Sequence, residues 1–280
     1  MDNVEAYINA HKLQYRDASD IIEEFSSDMA KMKGRCIDIG CGPGNVTKEL
    51  ILRNLPQETE VIGVDISRSM LDYANWKYRE EKCLSFKYLD IETPELPNEE
   101  LNQYDNALSF YCLHWCQNSW LAFENIYKLL RPGGKALLMF LGYNDGFDAY
   151  VRLHENPRYQ PYMKDAYKYI PYFHRCDDSR AVLRKILADV GFHILHCSRR
   201  DKSFVYQNMQ ILKSHTLAVN PFISRVPDNL KQEFEDVTLR EVVSQKILFA
   251  NKNSGGQEEY SILDRYSLLV AFVEKPLISY

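Results

Sequence analysis

The stretch Cys36-Ile-Asp-Ile-Gly-Cys-Gly-Pro-Gly-Asn45 sets a short apolar strand directly before three alternating glycines. Gly40, Gly42 and Gly44 let the backbone turn tightly and lie against a ligand with no Cβ in the way. The spacing is GxGxG, whereas the dinucleotide fingerprint is GxGxxG, and no Lys-Ser/Thr follows to make a phosphate-gripping loop. Asp38, at the strand's end, would repel a pyrophosphate but welcome an ammonium group. Together these features favour S-adenosylmethionine over NAD or ATP. The alternative is a tight strand-to-helix turn that holds no ligand.

Working outward from this turn, strand and helix patterns alternate. Ala18, Ile21, Ile22, Phe25 and Met29 recur at helical spacing and predict an amphipathic helix over 17–31, ahead of the first strand at 35–39. Val46, Leu50 and Ile51 mark the helix after the glycines. Strands follow at 60–65, 84–89, 105–111 and 136–141, separated by helices at 67–80 and 120–130, with Pro132-Gly-Gly134 as an exit turn. This βαβ rhythm predicts a Rossmann-like, doubly wound α/β sheet, mostly parallel, with ligands at the carboxyl ends of the strands. After Gly142 the rhythm breaks, and 143–178 shows no clear strand. A helix at 180–190, a strand at 192–197, a helical stretch over 207–249, a loop at 251–256 and a last strand at 266–273 complete seven strands. The organisation expected is one domain: a helical cap (1–32), a cofactor-binding core (33–142), and substrate-covering additions with the last strands (143–280).

A chain of 280 residues with 45% hydrophobic content can bury a full core. Its net charge of −5, with no conspicuous Lys/Arg cluster, argues against nucleic acid as the main partner. The Met1-Asp-Asn start lacks the basic and apolar stretches of a signal peptide. Runs such as 136–141 fall well short of the ~20 residues that span a bilayer, so a cytoplasmic protein is expected. Seven cysteines, several in predicted buried strands, fit reduced thiols better than a disulfide framework. Cys112, His114 and Cys116 alternate, but no second ligand pair has zinc-site spacing, so no metal is expected.

Asp65 lies 25 residues after Gly40, at the end of the second strand, where an acidic residue takes the ribose hydroxyls of an adenosine cofactor. Its plainer reading is a helix-capping carboxylate before Ile66-Ser67. Asp90 and Ile91 end the third strand and could bound an adenine ring. His114 is the one histidine placed where a general base could work, although a packing role fits it equally. Seven of the nineteen tyrosines fall between 143 and 172, with Phe147 and Phe173 alongside. They read either as an apolar cavity with polar tips or as ordinary packing.

Asp-Ile-Gly-Cys-Gly-Pro-Gly, Val-Asp-Ile-Ser, Leu-Asp-Ile-Glu, Ser-Phe-Tyr-Cys-Leu-His-Trp, Leu-Leu-Arg-Pro-Gly-Gly and Asn220-Pro-Phe222 occur in that order. In this the chain resembles the class I S-adenosylmethionine-dependent methyltransferases, and more closely the insect juvenile hormone acid methyltransferases, nearly end to end. The resemblance implies that Asp38, Gly40 and Asp65 hold the methionine and ribose parts of the cofactor, and Asp90 and Ile91 the adenine. Cys41, Gly42, Gly44, Ile66 and Ser109 would complete that site. It also implies that Gln14 and Trp120 bind the substrate carboxylate, as uncharged donors that leave the attacking oxygen reactive. A carboxylic acid with a pKa near ~4 to 5 is already ionised near neutral pH, so no general base is required. The implied reaction is esterification of a farnesoic or juvenile hormone acid. Its alternatives are another small acid or amine as acceptor, and a non-catalytic chain that keeps the cofactor site.

Overall fold

Successive side chains of the central strands enter two different cores. Ile37 and Ile39 join one while Cys36 joins the other; Leu137 and Met139 oppose Ala136, Leu138 and Phe140; Leu268, Val270 and Phe272 oppose Leu269, Ala271 and Val273. A strand apolar on both faces must be covered on both, as the βαβ pattern requires. The computed structural model describes residues 4–252 and 258–277. Strands β1 (Arg35–Ile39), β2 (Glu60–Asp65), β3 (Leu84–Tyr88), β4 (Tyr104–Phe110) and β5 (Leu130–Asn144) are mutually parallel. They are joined by β6 (His193–Tyr206), β7 (Ile247–Lys252) and β8 (Glu258–Glu274). The order is β3-β2-β1-β4-β5-β8-β6, and β8 runs antiparallel to both its neighbours.

One face is covered by α2 (Lys12–Glu24), which follows the short α1 (Val4–Ala10), together with the helix at 45–54 and α3 (Arg68–Lys77); the other is covered by α4 (Ser119–Leu129) and α5 (Ser179–Val190). Asn118 and Asp178 cap α4 and α5 by accepting from the N–H groups of Leu121 and Ala181, and Gly191 ends α5 in the left-handed region. Over the carboxyl edge lie α6 (Gly146–Glu155), α7 (Met209–Ala218) and α8 (Asp228–Val243). A third, aromatic core forms there around Phe147, Tyr150, Tyr159, Phe222 and Phe234.

The sheet has the seven expected strands, mostly parallel, and one more. The helical reading of 207–249 is corrected: Asn220-Pro221-Phe222 breaks it, with Asn220 Oδ1 accepting from the Phe222 N–H at 2.8 Å. Its end becomes β7, which pairs with the amino-terminal part of β8 from Ile247 opposite Leu263. Of the predicted 251–256 loop, 251–252 belong to β7 and 253–256 lie outside the described residues. The helix predicted over 17–31 starts earlier, at Lys12, and breaks at Phe25. Of residues 143–178, 143–144 end β5 and the rest holds α6 followed by short 3-10 turns that Pro157, Pro161 and Pro171 keep from lengthening. The Pro132-Gly-Gly134 segment sits inside β5, where its pairing with β4 shifts register.

Candidate active site

The glycine turn is fastened by backbone. Gly40 and Cys41 both donate to the Val64 carbonyl, at 2.8 and 3.0 Å, which pins the loop to the end of β2. Gly40 has φ +74°, and a Cβ there would lie 2.3 Å from the Cys112 side chain. Gly42 differs. Its φ is +53° and a Cβ would meet nothing within 4 Å, so its backbone faces open space where a ligand can approach. Gly44 lies away from the cavity, against the Phe86 ring.

Two carboxylates flank the turn. Asp65 accepts from the Gly42 N–H (2.9 Å) and the Ser67 N–H (2.8 Å), tying the loop to the start of α3. Burial raises its pKa, against the pull of those backbone donors. Asp38 is buried and accepts from the Thr47 hydroxyl at 2.6 Å, and burial pushes its pKa up to about 7. A buried carboxylate held by one hydroxyl would be stabilised in its charged form by a cation. Thr47 lies where the helix at 45–54 takes a π-helical turn.

A cavity of about 250 Å³ opens on the turn at Gly40, Gly42, Asp65 and Ile66. Leu13 and Gln14 of α2, Phe147 and Tyr150 of α6, and Leu212 of α7 enclose it with the segment after β4. A smaller recess of about 30 Å³ shares Gln14, Gly40 and Tyr111 with it and reaches Asp38 and Cys41. Gln14 thus stands where the two spaces meet. It is only 8% exposed, and its Oε1 has no hydrogen-bond partner among the described residues. Tyr111 is held in the left-handed region (φ +58°) and donates to Asp17, which also accepts from Tyr266. Such strain is tolerated when the surroundings fix the residue.

His114 lines the cavity between Trp115 and Tyr111. Burial lowers its pKa to about 3, and its Nδ1 finds no partner among the described residues. It is therefore a neutral imidazole, able to donate or accept a hydrogen bond but a weak base. Among the described residues no group of three or more His, Cys, Asp or Glu, Cys112, His114 and Cys116 included, could hold a metal ion.

Several sequence-derived site residues lie elsewhere. Trp120 is 43% exposed on the first turn of α4 and does not line the cavity; Trp115 does. Ser109 is wholly buried, its hydroxyl donating to the Ile39 carbonyl at 2.9 Å. Asp90 accepts from the Glu92 N–H, and Ile91 is buried in the core beneath β1 and β2. Neither borders the cavity. Of the aromatic-rich segment, Phe147 and Tyr150 reach the cavity, Tyr159 packs on Phe234, and Tyr143, Tyr167 and Tyr172 are exposed. The sequence reading missed Tyr7, Lys246 and Asp264, which line the cavity from segments far apart in the chain and carry no local motif.

The reversed strand in an otherwise parallel order, the fastened glycine turn and an acidic residue at the end of each of the first two strands define a class I methyltransferase that uses S-adenosyl-L-methionine. The open face at Gly42 and the buried Asp38, which has no ion pair among the described residues, fit a nucleoside that carries an ammonium group. A methyltransferase-domain pattern matches residues 37–136. The juvenile hormone acid O-methyltransferase of Drosophila melanogaster is 34% identical over 98% of this chain and 93% of its own, and that of Bombyx mori is 31% identical over 100% and 99%. The chain belongs to the juvenile hormone acid O-methyltransferase family. Its fold is also that of a phosphoethanolamine N-methyltransferase 2 from Haemonchus contortus, solved with S-adenosylhomocysteine, at a TM-score of 0.52 and 16% identity over 97% of this chain and 58% of that one. No helix among the described residues is long and apolar enough to cross a membrane.

Proposed function

We propose that this chain is a carboxyl O-methyltransferase that esterifies a sesquiterpenoid acid such as farnesoic acid or a juvenile hormone acid. The observation that carries the reading is a largely apolar cavity that meets the glycine turn at Gln14, with neutral polar groups at that end. The full-length likeness to the two juvenile hormone acid enzymes supports it. In this reading 33–142 carries the cofactor, while 1–32 and 143–280 close over the acceptor.

Asp38 would pair with the cofactor's ammonium group, Gly40, Cys41 and Gly42 would give their backbone faces, and Asp65 beside Ile66 would take the ribose hydroxyls. The bound cofactor supplies an electrophilic methyl on a sulfonium. The acid enters already ionised, so the chain has to position one carboxylate oxygen and exclude water. Gln14 and His114 are suited to that task. A half-turn of the Gln14 amide exchanges its unpartnered oxygen for an NH₂ donor, and a neutral imidazole can donate from Nδ1. A cation in their place would hold the carboxylate more firmly and make its oxygen less nucleophilic. Trp120, at the surface, has no part in this arrangement.

The experiment is transfer of a labelled methyl group to a panel of sesquiterpenoid and fatty acids, with the corresponding amides and amines as controls. Ester formation on the terpenoid acids supports the proposal. A protein that binds the cofactor and methylates none of the acids overturns it.

A further inference from the structure

One wall of the cavity is charged although its surroundings are apolar. Lys246, between α8 and β7, has a side chain only 2% exposed. Its ammonium donates to Asp145 Oδ1 at 2.7 Å and to Asp264 Oδ1, and Asp264 Oδ2 in turn accepts from Asn144 Nδ2 at 3.4 Å. Lys246, Asn144 and Asp264 all line the cavity. An ammonium has three N–H donors, and two are taken. Burying a lysine is costly unless it is paired and hydrogen-bonded, so the pairing explains how Lys246 is tolerated there. Among the described residues it leaves one donor over.

The position of this group limits what can lie against it. Asp264 is on β8 and His114 follows β4; two strand positions separate them, roughly 10 Å at about 4.8 Å per strand. The Lys246 ammonium is already balanced by the carboxylates of Asp145 and Asp264, so it holds no spare charge for a substrate anion. The groups of Gln14 and His114 left unpartnered among the described residues are the better seat for the substrate carboxylate, which leaves the other end of the acid near Lys246.

We propose that Lys246, held by Asp145 and Asp264, donates a hydrogen bond to an acceptor oxygen on the tail of the substrate, remote from the carboxylate, and so selects acids bearing an ether, epoxide or carbonyl oxygen there. This inference rests on the carboxylate-methylation reading above. It makes Lys246 a specificity-determining residue, distinct from the groups that align the reacting oxygen. A purely structural clamp joining the start of α6 to β8 would leave substrate preference unmoved.

The test compares two acids of one carbon skeleton, one with a terminal alkene and one with the corresponding epoxide, using the full chain and its cofactor. The intact protein should favour the epoxide by about tenfold in kcat/KM, chiefly through KM, and Lys246→Met should bring the ratio close to one. Asp264→Asn, which loosens the ammonium without removing it, should give an intermediate ratio. Cofactor affinity within twofold of the parent's certifies that each variant is folded. Methylation of both acids by the parent without preference overturns the proposal and leaves the carboxyl-methylation reading standing. A preference that survives in Lys246→Met overturns it as well. Methylation of neither acid overturns that underlying reading, and this inference with it.

Discussion

The two ends of the cavity are built by different means. At the glycine turn the walls are main chain: Gly40 and Cys41 hang on the Val64 carbonyl, Gly42 on Asp65, and no side chain larger than hydrogen fits at Gly40. At the cap the walls are side chains of α6, α7 and α8, backed by an aromatic cluster whose members come from distant parts of the chain. A backbone-built end tolerates little change and suits a ligand that never varies. A side-chain-built end can be reshaped residue by residue, which suits an acceptor that differs between enzymes.

The sharpest way to break this contrast is to damage the cap alone. Phe222 is fully buried between Tyr150 and Tyr169, and Phe222→Ala should cost about 3–5 kcal/mol in stability. Methyl transfer should fall, while cofactor affinity measured calorimetrically below the new Tm stays within a few-fold. An equal loss of cofactor affinity would show that the two ends act as one. The reciprocal change, Gly40→Ala, places a Cβ against Cys112 at a positive φ. About 2–4 kcal/mol of destabilisation is expected from strain and overpacking together. Here cofactor binding should be lost before any change in acid preference.

The contrast also explains what could be read in advance. A turn that forbids side chains writes itself into the sequence as glycines, so the sheet and its cofactor were legible from one ten-residue stretch. The cap imposes only a need for buried bulk, which many sequences meet. The density of tyrosines over 143–172 therefore could not separate Tyr150, on the cavity, from Tyr167, at the surface. Trp120 stands outside the cavity because the periodicity of α4 is set by Ala122, Phe123 and Ile126 facing the core. Lys246 and Asp264 meet only through tertiary folding. β7 escaped because the helical pattern was carried past the end of α8 at Val243.

A pH titration sharpens the comparison further. With Asp38 near 7 and an ammonium-bearing cofactor requiring its charged form, cofactor affinity should be full above pH 7 and weaken about tenfold per unit as the pH falls below it. In the cofactor-free chain the sign reverses. There the raised pKa favours folding below the ordinary value of 3.8, and that contribution is lost as the pH rises to about 7. Thermal melts with and without cofactor at pH 5.5 and 8 separate the two. His114, already neutral with a pKa of about 3, should add no limb to the kcat profile between pH 5.5 and 9. At the junction of the two ends, Gln14→Ala should raise KM for the acid about tenfold and leave cofactor Kd within twofold. An unchanged KM would remove Gln14 from acceptor binding. The smallest effect is expected at Trp120: its exposure predicts a change within about 0.5 kcal/mol on Trp120→Ala and no change in KM, whereas Trp115→Ala should raise KM.

The placement of β8 bears on how the molecule is made. It is the last strand in sequence yet lies between β5 and β6 and also pairs with β7. During synthesis the first five strands can assemble as they leave the ribosome, but β5 keeps an open edge until 258–274 has emerged. For that interval the nascent chain exposes a long apolar strand of the kind that recruits other chains. Yield in the cell should therefore depend more on chaperone supply and on the speed of translation over residues 145–274 than the stability of the finished fold would suggest.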